Sequence, residues 1–248
     1  MSSSAYPQNQ DNETPEQMSF DFLFDGNANG LPCFVSKPPL QMQTSYPLSV
    51  YTPLEYLCSY KYPLIVWLHS QEGTEREALH AIQKISARNY AAVGLKGFSQ
   101  NNTIAWPLSR LGEIETRVLD TVRQVRLCLN IHPQRIYLVG IQSGGTAAMA
   151  LALRRPDVFA GAATFNGPIP RLPVMFRQFK LQKKQSYFVG IPRQPESYPP
   201  EALRDDIDMF SNAGISIQFK EYSGKYFDDD MYKDLNYWIM RRISSAAE

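Results

Sequence analysis

The chain has 248 residues, of which 44% are hydrophobic and 20% are charged, and this is enough for one domain with a sizeable hydrophobic core. Its formal net charge of +1 lacks the strongly basic balance of proteins that bind nucleic acids or anionic membranes. No apolar run approaches the length of about 18 residues that a membrane span needs, and the polar start of the chain is unlike a signal peptide. We therefore predict no nucleic-acid partner and no membrane span.

Residues 1–19 are mostly Ser, Asn, Gln, Pro and acidic residues, so we predict a disordered tail followed by one domain over 20–245. Downstream, apolar runs typical of buried strands alternate with amphipathic helices. The predicted strands are 32–35, 48–51, 63–68, 90–95, 135–139, 161–165, 186–189 and 215–222. The predicted helices are 75–88, 111–129, one that ends at 155, 200–212 and 230–243. This alternation predicts an α/β fold with a mostly parallel, twisted sheet and helices on both faces.

The most informative stretch covers residues 136–145, where an apolar strand leads into a glycine-rich turn and a helix of small residues begins. This is the layout of a nucleophile elbow, the tight turn that presents the reactive Ser of α/β-hydrolases in the frame G-x-S-x-G. Here Gly140 and Gly144 frame Gln142, whose amide is not a nucleophile. If Ser143 were the apex, the β-branched Ile141 would occupy one of the tightest packing positions. We therefore predict Gln142 at the apex, in a strained backbone conformation.

Other interpretations of the same turn stay open. It is also typical of a plain strand-to-helix turn in a doubly wound sheet, whereas it lacks the glycine spacing of the known phosphate-binding turns. A second segment, 97–100, also reads like an esterase elbow. No Gly lies two residues after Ser99 and no helical pattern begins there, so we predict a surface loop.

The cysteines and histidines limit the chemistry. Cys33, Cys58 and Cys128 are odd in number and scattered, which predicts reduced, buried thiols in a cytoplasmic protein. No Cys/His cluster has the spacing of metal ligands, and we predict neither a metal nor a cofactor. Among the histidines, His132 precedes the strand that leads to the turn, so we expect it at the opposite end of the sheet. We place His80 on a helix outside the site.

Several segments together resemble the phospholipase/carboxylesterase family, a branch of the serine α/β-hydrolases. The segment 63–69 is similar to the family's P-L-[IV]-V-W-L-H, and 135–145 is similar to its R-[IV]-x-L-x-G-F-S-Q-G-G. Residues 155–161 resemble its H-P-x-x-F-A-G, and 231–240 resemble its closing helix. The likeness covers residues 30–243, nearly all of the predicted domain. It implies an α/β-hydrolase fold with an esterase site at the carboxyl ends of the strands.

Carried over residue by residue, this resemblance implies a degenerate catalytic triad. The family's Ser, Asp and His positions hold Gln142, Arg193 and Tyr226. The loop that supplies oxyanion donors in the family corresponds to 69–73, where Glu72 places a negative charge that opposes oxyanion stabilisation. The predicted oxyanion and pocket residues are Ser70, Gln71, Ser143, Trp106 and Asn166, with Phe98 beside them.

Two functions follow from these positions. The first is a catalytically inactive esterase homologue that binds a small acyl or ester-like molecule or a protein partner, because loss of all triad members removes most of the rate enhancement. The alternative is an active carboxylic-ester hydrolase that uses Ser143 as a shifted nucleophile and His69 as its base, although His69 also fits a role in ordering its loop. Tyr226 paired with Lys225 is another candidate base. The acidic run 228–230 suggests either a cation site or the cap of a helix.

Overall fold

The computed structural model describes residues 44–100, 103–171, 176–192, 198–223 and 229–245. Its strands are β1 Leu48–Tyr51, β2 Tyr62–Leu68, β3 Ala91–Leu95, β4 Phe98–Gln100, β5 Thr103–Ala105, β6 Ile131–Ile141, β7 Gly161–Phe165, β8 Ser186–Pro192 and β9 Ser216–Tyr222. Its α-helices are α1 Glu77–Ser86, α2 Leu111–Cys128, α3 Ser143–Arg154, α4 Phe179–Gln182, α5 Pro200–Asn212 and α6 Asp229–Ser245. Strands and helices therefore alternate along the chain, as the sequence predicted.

One seven-stranded sheet organises the molecule, in the order β1-β3-β2-β6-β7-β8-β9. Only β1 runs antiparallel to its neighbour within this sheet, while the other pairs are parallel. The carboxyl ends of β2, β6, β7 and β8 consequently meet at one edge of the sheet. Their amino ends meet at the opposite edge, so the fold has two chemically separate ends.

Each face of the sheet carries its own hydrophobic core. Residues of α2, α3 and α5 pack on one face, with Ile114, Leu151 and Leu203 among the buried members. The helices α1 and α6 cover the other face, where Ile82 and Leu235 are buried. Because both faces are covered, β2 is buried along its whole length, and this explains its uninterrupted apolar sequence.

The predicted fold class is confirmed, and β1, β7 and α5 have the predicted bounds. The strand β6 is longer than predicted and begins at Ile131. The prediction of a surface loop at 97–100 is wrong, because Phe98–Gln100 forms β4 and pairs with β5 in a small antiparallel sheet. The side chain of Phe98 is buried, so this hairpin contributes to the core. The predicted tail 1–19 and the strand at 32–35 lie outside the described residues.

The cysteine prediction is corrected in two respects. Cys58 is exposed and disulfide-bonded rather than a buried thiol. Cys128 is free and half-buried, and burial raises the pKa of its thiol, whereas Cys33 lies outside the described residues. Disulfides are typical of oxidising compartments, so the cysteines do not support a cytoplasmic location. No helix in the described part of the chain is both long and apolar enough to cross a membrane.

Candidate functional site

A tight turn joins β6 to α3 at the carboxyl edge of the sheet. Its central residue is Gln142, with φ 50° and ψ −121°, a region that residues with a side chain rarely adopt. The Gln142 N–H donates to the Phe165 carbonyl at 2.8 Å, and the Gln142 carbonyl accepts from the Thr146 N–H at 3.0 Å. These bonds anchor the turn to β7 and to the first turn of α3. Such a conformation costs on the order of 1–3 kcal/mol, which the surrounding packing has to offset.

The two framing glycines are required by close backbone contacts. A Cβ on Gly144 would lie 2.3 Å from the Leu68 carbonyl oxygen, and one on Gly140 would lie 2.4 Å from the Gly144 carbonyl oxygen. The strained conformation belongs to Gln142, whereas Ser143 is the first residue of α3. The backbone therefore places Gln142 at the apex, where the glycine spacing predicted it.

The Gln142 side chain is exposed and turns toward the loop that follows β2. Its Oε1 accepts the backbone N–H of Gln71 at 3.2 Å. The other backbone N–H groups of this loop have different partners: Ser70 donates to Glu77 Oε2, Glu72 to the Ile104 carbonyl and Gly73 to the Ser70 carbonyl. The Gln71 N–H is thus the loop donor that faces the turn, and the protein's own amide oxygen binds it.

Glu77, in the first turn of α1, organises this loop. Its Oε1 accepts the Ser70 hydroxyl at 2.7 Å, and its Oε2 accepts the Ser70 N–H at 3.1 Å and the Trp67 indole N–H at 3.4 Å. A carboxylate that accepts three donors fixes the direction in which the following Gln71 N–H points. Glu77 was not predictable from the sequence, because nothing in its spacing from Ser70 distinguishes it from the other acidic residues of a helix start.

His69 is fully buried and both of its ring nitrogens are occupied. Its Nε2 accepts the Gly97 N–H at 2.8 Å, so the ring proton resides on Nδ1 and is donated to the Ser70 carbonyl at 2.6 Å. His69 therefore joins the loop after β2 to the segment that leads into β4. Ser143 has a different partner, since its Oγ accepts the Trp106 N–H at 3.4 Å. Among the described residues, no histidine or carboxylate is hydrogen-bonded to Ser143.

Trp106 and Asn166 flank the turn, and each has an unpaired polar atom. Trp106 is buried against His69 and Phe98, with ring centroids 5.3 Å and 6.3 Å away, and its indole N–H finds no acceptor in the described part of the chain. Asn166 also has a positive φ of 54°, and its Oδ1 is buried without a donor among the same residues. Buried polar groups without partners are uncommon and call for an explanation.

Of the other residues discussed from the sequence, some lie outside the described residues and the rest are placed by the structure. Arg193 and Tyr226, the other triad positions, lie outside the described residues, as does Lys225, so their assignments stay predictions. His80 is exposed on α1, while His132 is at the amino edge of the sheet, as predicted from their places in the chain. Asp229 and Asp230 open α6, and no group of three potential metal ligands occurs within the described ranges.

Known proteins match both the sequence and the fold. The family model "Esterase", described as "Putative esterase", matches residues 40–204. "Carboxylesterase SOBER1" of Arabidopsis thaliana is 23% identical over 144 residues, which is 54% of this chain and 62% of that protein. The Oryza sativa subsp. japonica protein named "Probable inactive carboxylesterase Os04g0669700" is 29% identical over 92 residues, or 37% of this chain and 38% of that protein. Each match thus spans less than two thirds of the relative's length.

The structural match covers more of the chain than the sequence matches do. The crystal structure of the Bacillus cereus carboxylesterase superposes with a TM-score of 0.63 and 14% identity, over 82% of this chain and 97% of that one. The mostly parallel sheet, its covering helices and this superposition define an α/β-hydrolase fold. Since the matching family model spans most of the chain, the protein belongs to the esterase family.

Proposed function

We propose that this protein is a catalytically inactive member of the esterase family that binds a small molecule through a carbonyl group. The observation that carries the proposal is the position of Gln142. It has a strained backbone conformation, as expected for the apex of a nucleophile elbow, and its amide oxygen binds the Gln71 N–H. One residue thereby replaces the nucleophile and occupies a donor that would stabilise an oxyanion.

The first step of ester hydrolysis has no suitable group at this turn. Acyl transfer needs a side chain that attacks the carbonyl carbon after losing its proton to a neighbouring base. An amide cannot serve as that nucleophile, and Ser143, the neighbouring hydroxyl, lies within α3 with its Oγ directed to the Trp106 N–H. His69 has no free nitrogen to accept a proton, because its Nε2 lone pair accepts the Gly97 N–H. This arrangement supports an inactive protein over the alternative of a shifted Ser143–His69 pair.

The same geometry supports binding without turnover. When a carbonyl ligand binds at the turn, its oxygen replaces the Gln142 Oε1 as the acceptor of the Gln71 N–H. One hydrogen bond is broken and one of the same kind is formed. Such an exchange of hydrogen bonds is close to neutral, so affinity then depends on the apolar part of the ligand. The unpaired atoms of Trp106 and Asn166 add a donor and an acceptor beside the turn. The relatives' names support an esterase-type ligand and an inactive site, since one relative is called a carboxylesterase and the other a probable inactive carboxylesterase.

Turnover of p-nitrophenyl acetate by the wild type, Ser143→Ala and Gln142→Ser tests the proposal. We expect no hydrolysis above buffer and no fluorophosphonate labelling in any of the three, because a serine placed at the apex still lacks a base. Wild-type hydrolysis that Ser143→Ala abolishes would contradict the proposal and establish the shifted nucleophile. Labelling of Gln142→Ser alone would show that a base is present and that only the nucleophile has been lost.

Binding is tested separately with p-nitroacetophenone, which has the carbonyl but no ester bond. Gln142→Ala removes the competing amide oxygen, so we expect binding measured by NMR titration to strengthen by about fivefold, the worth of one hydrogen bond. Gln134→Ala is the matched control, since it removes an exposed Gln at the other edge of the sheet. An unchanged affinity in Gln142→Ala would mean that the ligand does not use the Gln71 N–H.

A further inference from the structure

A second cavity lies at the opposite edge of the sheet, where the strands begin. It has a volume of about 510 Å³, within the range of small-molecule sites. The first part of β6, the segments that lead into β7 and β8, and the helix α6 surround it. Its lining includes His132, Arg135, Tyr137, Asp157, Lys184 and Arg242. The proposed carbonyl site is at the other end of β6, so the two sites are separate.

The charge of this lining is strongly one-sided. Arg135, Lys184 and Arg242 are cationic, and neither Arg135 nor Lys184 has an acidic partner among the described residues. The Arg242 guanidinium donates from Nη2 to the Lys184 backbone carbonyl at 2.5 Å, which holds this guanidinium beside the segment that leads into β8. A concave surface lined by Arg135 and Lys184, which have no acidic partner in the described part of the chain, favours the binding of an anion.

Asp157, the one acidic residue among the described residues of the lining, does not neutralise these cations. Its carboxylate accepts two hydrogen bonds from Arg155, at 2.9 Å to Nε and 2.7 Å to Nη2. The Arg155 hydrogen bonds hold the pKa of Asp157 below its ordinary value. Its negative charge is therefore already paired with a guanidinium that is not part of the lining.

A tyrosine with a largely buried side chain completes the site. The Tyr137 side chain is only 2% exposed and lines the cavity, but no hydrogen bond within the described residues involves its hydroxyl. Burial raises the pKa of Tyr137, and the positive charges of Arg242 and Arg135 oppose that rise. Its edge-on contact with Trp238, at a centroid distance of 5.6 Å, holds the ring in place.

We propose that this cavity binds the oxyanion group of a small organic anion, a phosphate or a carboxylate. Arg135, Lys184 and Arg242 supply the charge, and the Tyr137 hydroxyl donates a hydrogen bond from the buried side. Guanidinium groups bind both kinds of oxyanion through paired N–H donors. The site does not depend on the proposed carbonyl site, so either assignment stands or fails alone.

Titration of the full chain with orthophosphate and with succinate, in low-salt buffer at neutral pH, tests the site. We expect saturable chemical-shift changes with one or both anions, and the preferred probe identifies the oxyanion. Arg135→Gln weakens binding by at least about tenfold, as expected for a charge-assisted contact, and Tyr137→Phe weakens it several-fold while keeping the ring. Arg126→Gln, an exposed cation on α2 outside the lining, leaves affinity unchanged.

Three results would overturn the proposal. The first is the absence of saturable binding for both anions. The second is an equal loss of affinity in Arg126→Gln and Arg135→Gln, which would indicate general attraction to surface cations. The third is unchanged affinity in Tyr137→Phe, which changes neither charge nor ring packing, because it would place the anion outside the cavity.

Discussion

The two ends of the central sheet differ in how completely their polar groups are paired. At the carboxyl edge, the Gln71 N–H, the Ser70 hydroxyl and both nitrogens of His69 are bound by other parts of the protein. At the amino edge, Arg135, Lys184 and the Tyr137 hydroxyl have no such partners among the described residues. At the carboxyl edge these groups of the loop after β2 are therefore paired within the protein, whereas the Trp106 indole N–H and the Asn166 Oδ1 are left unpaired among the described residues. The amino edge instead keeps charged groups available for a ligand.

The largest expected effect tests how tightly the carboxyl edge is packed. In Gly144→Ala the new Cβ meets the backbone oxygens of Leu68 and His69 at 2.3 Å and 2.5 Å. Because backbone must shift, we expect a loss of about 3 kcal/mol or more in the free energy of unfolding. Chemical denaturation measures it.

Gly112→Ala is the control for that substitution. A Cβ on Gly112, in the first turn of α2, meets nothing within 4 Å, so we expect an effect between zero and a gain of about 1 kcal/mol. Equal destabilisation by both substitutions would contradict a specific role for the close approach at Gly144.

A smaller effect tests the carboxylate that organises the loop at this edge. Glu77→Gln weakens the charge-assisted bonds to Ser70 and Trp67, and we expect a loss of about 1–2 kcal/mol in the free energy of unfolding. Glu201→Gln, in the first turn of α5, is the matched control, because it removes only the favourable interaction with a helix dipole. If both variants lose the same free energy of unfolding, the contribution of Glu77 is limited to its interaction with the dipole of α1.

The next prediction concerns the balance of charge at the amino edge. Asp157→Asn removes the acidic residue of the cavity lining, so we expect orthophosphate affinity to rise by about two- to threefold, consistent with partly exposed charges. Asp120→Asn disrupts a comparable pair with Arg123 on α2 and should leave the affinity unchanged. A fall in affinity in Asp157→Asn would mean that Asp157 positions the cations rather than opposing the anion.

The smallest effect is on pH dependence at the same edge. Desolvation, followed by the charges of Arg135 and Lys61, lowers the pKa of His132 below its ordinary value of 6.5. The unfolded chain then binds this proton more readily, so His132 contributes stability above that pH, and the contribution is lost as the pH falls through the lowered pKa. We expect His132→Gln to lose less stability than the wild type between neutral and mildly acidic pH. If the two proteins have the same dependence of stability on pH, the inference that the pKa of His132 is lowered in the folded state is wrong.

Much of this architecture was predictable from the sequence because its signals are local. The apolar run of β2 and the glycine frame around Gln142 involve neighbouring residues, and both correspond to the observed elements. The hairpin of β4 and β5 was missed, since the polar residues after Phe98 resemble a loop and its burial depends on distant packing. The partners of His69 were not predictable either, because Gly97 and Ser70 meet it only in the fold.

The cavity at the amino edge was even less predictable from the sequence, because its residues come together only in the fold. Arg135, Lys184 and Arg242 are far apart in the sequence, and no spacing rule brings them together. Their proximity depends on strand order, which places the starts of β6, β7 and β8 side by side. A sequence motif predicts a site when one turn carries its residues, whereas a site built across several strand ends needs the topology.

The buried imidazole of His69 also has a consequence for dynamics. Its Nε2 accepts the Gly97 N–H and its Nδ1 donates to the Ser70 carbonyl. The imidazole therefore links the loop after β2 to the segment that leads into β4. The Gly97 amide hydrogen is therefore protected from exchange with solvent until both segments separate. Its exchange rate reports the free energy needed to separate the loop after β2 from the segment that leads into β4. Slow exchange would mean that these two segments form a nearly rigid border for any ligand that binds at the turn.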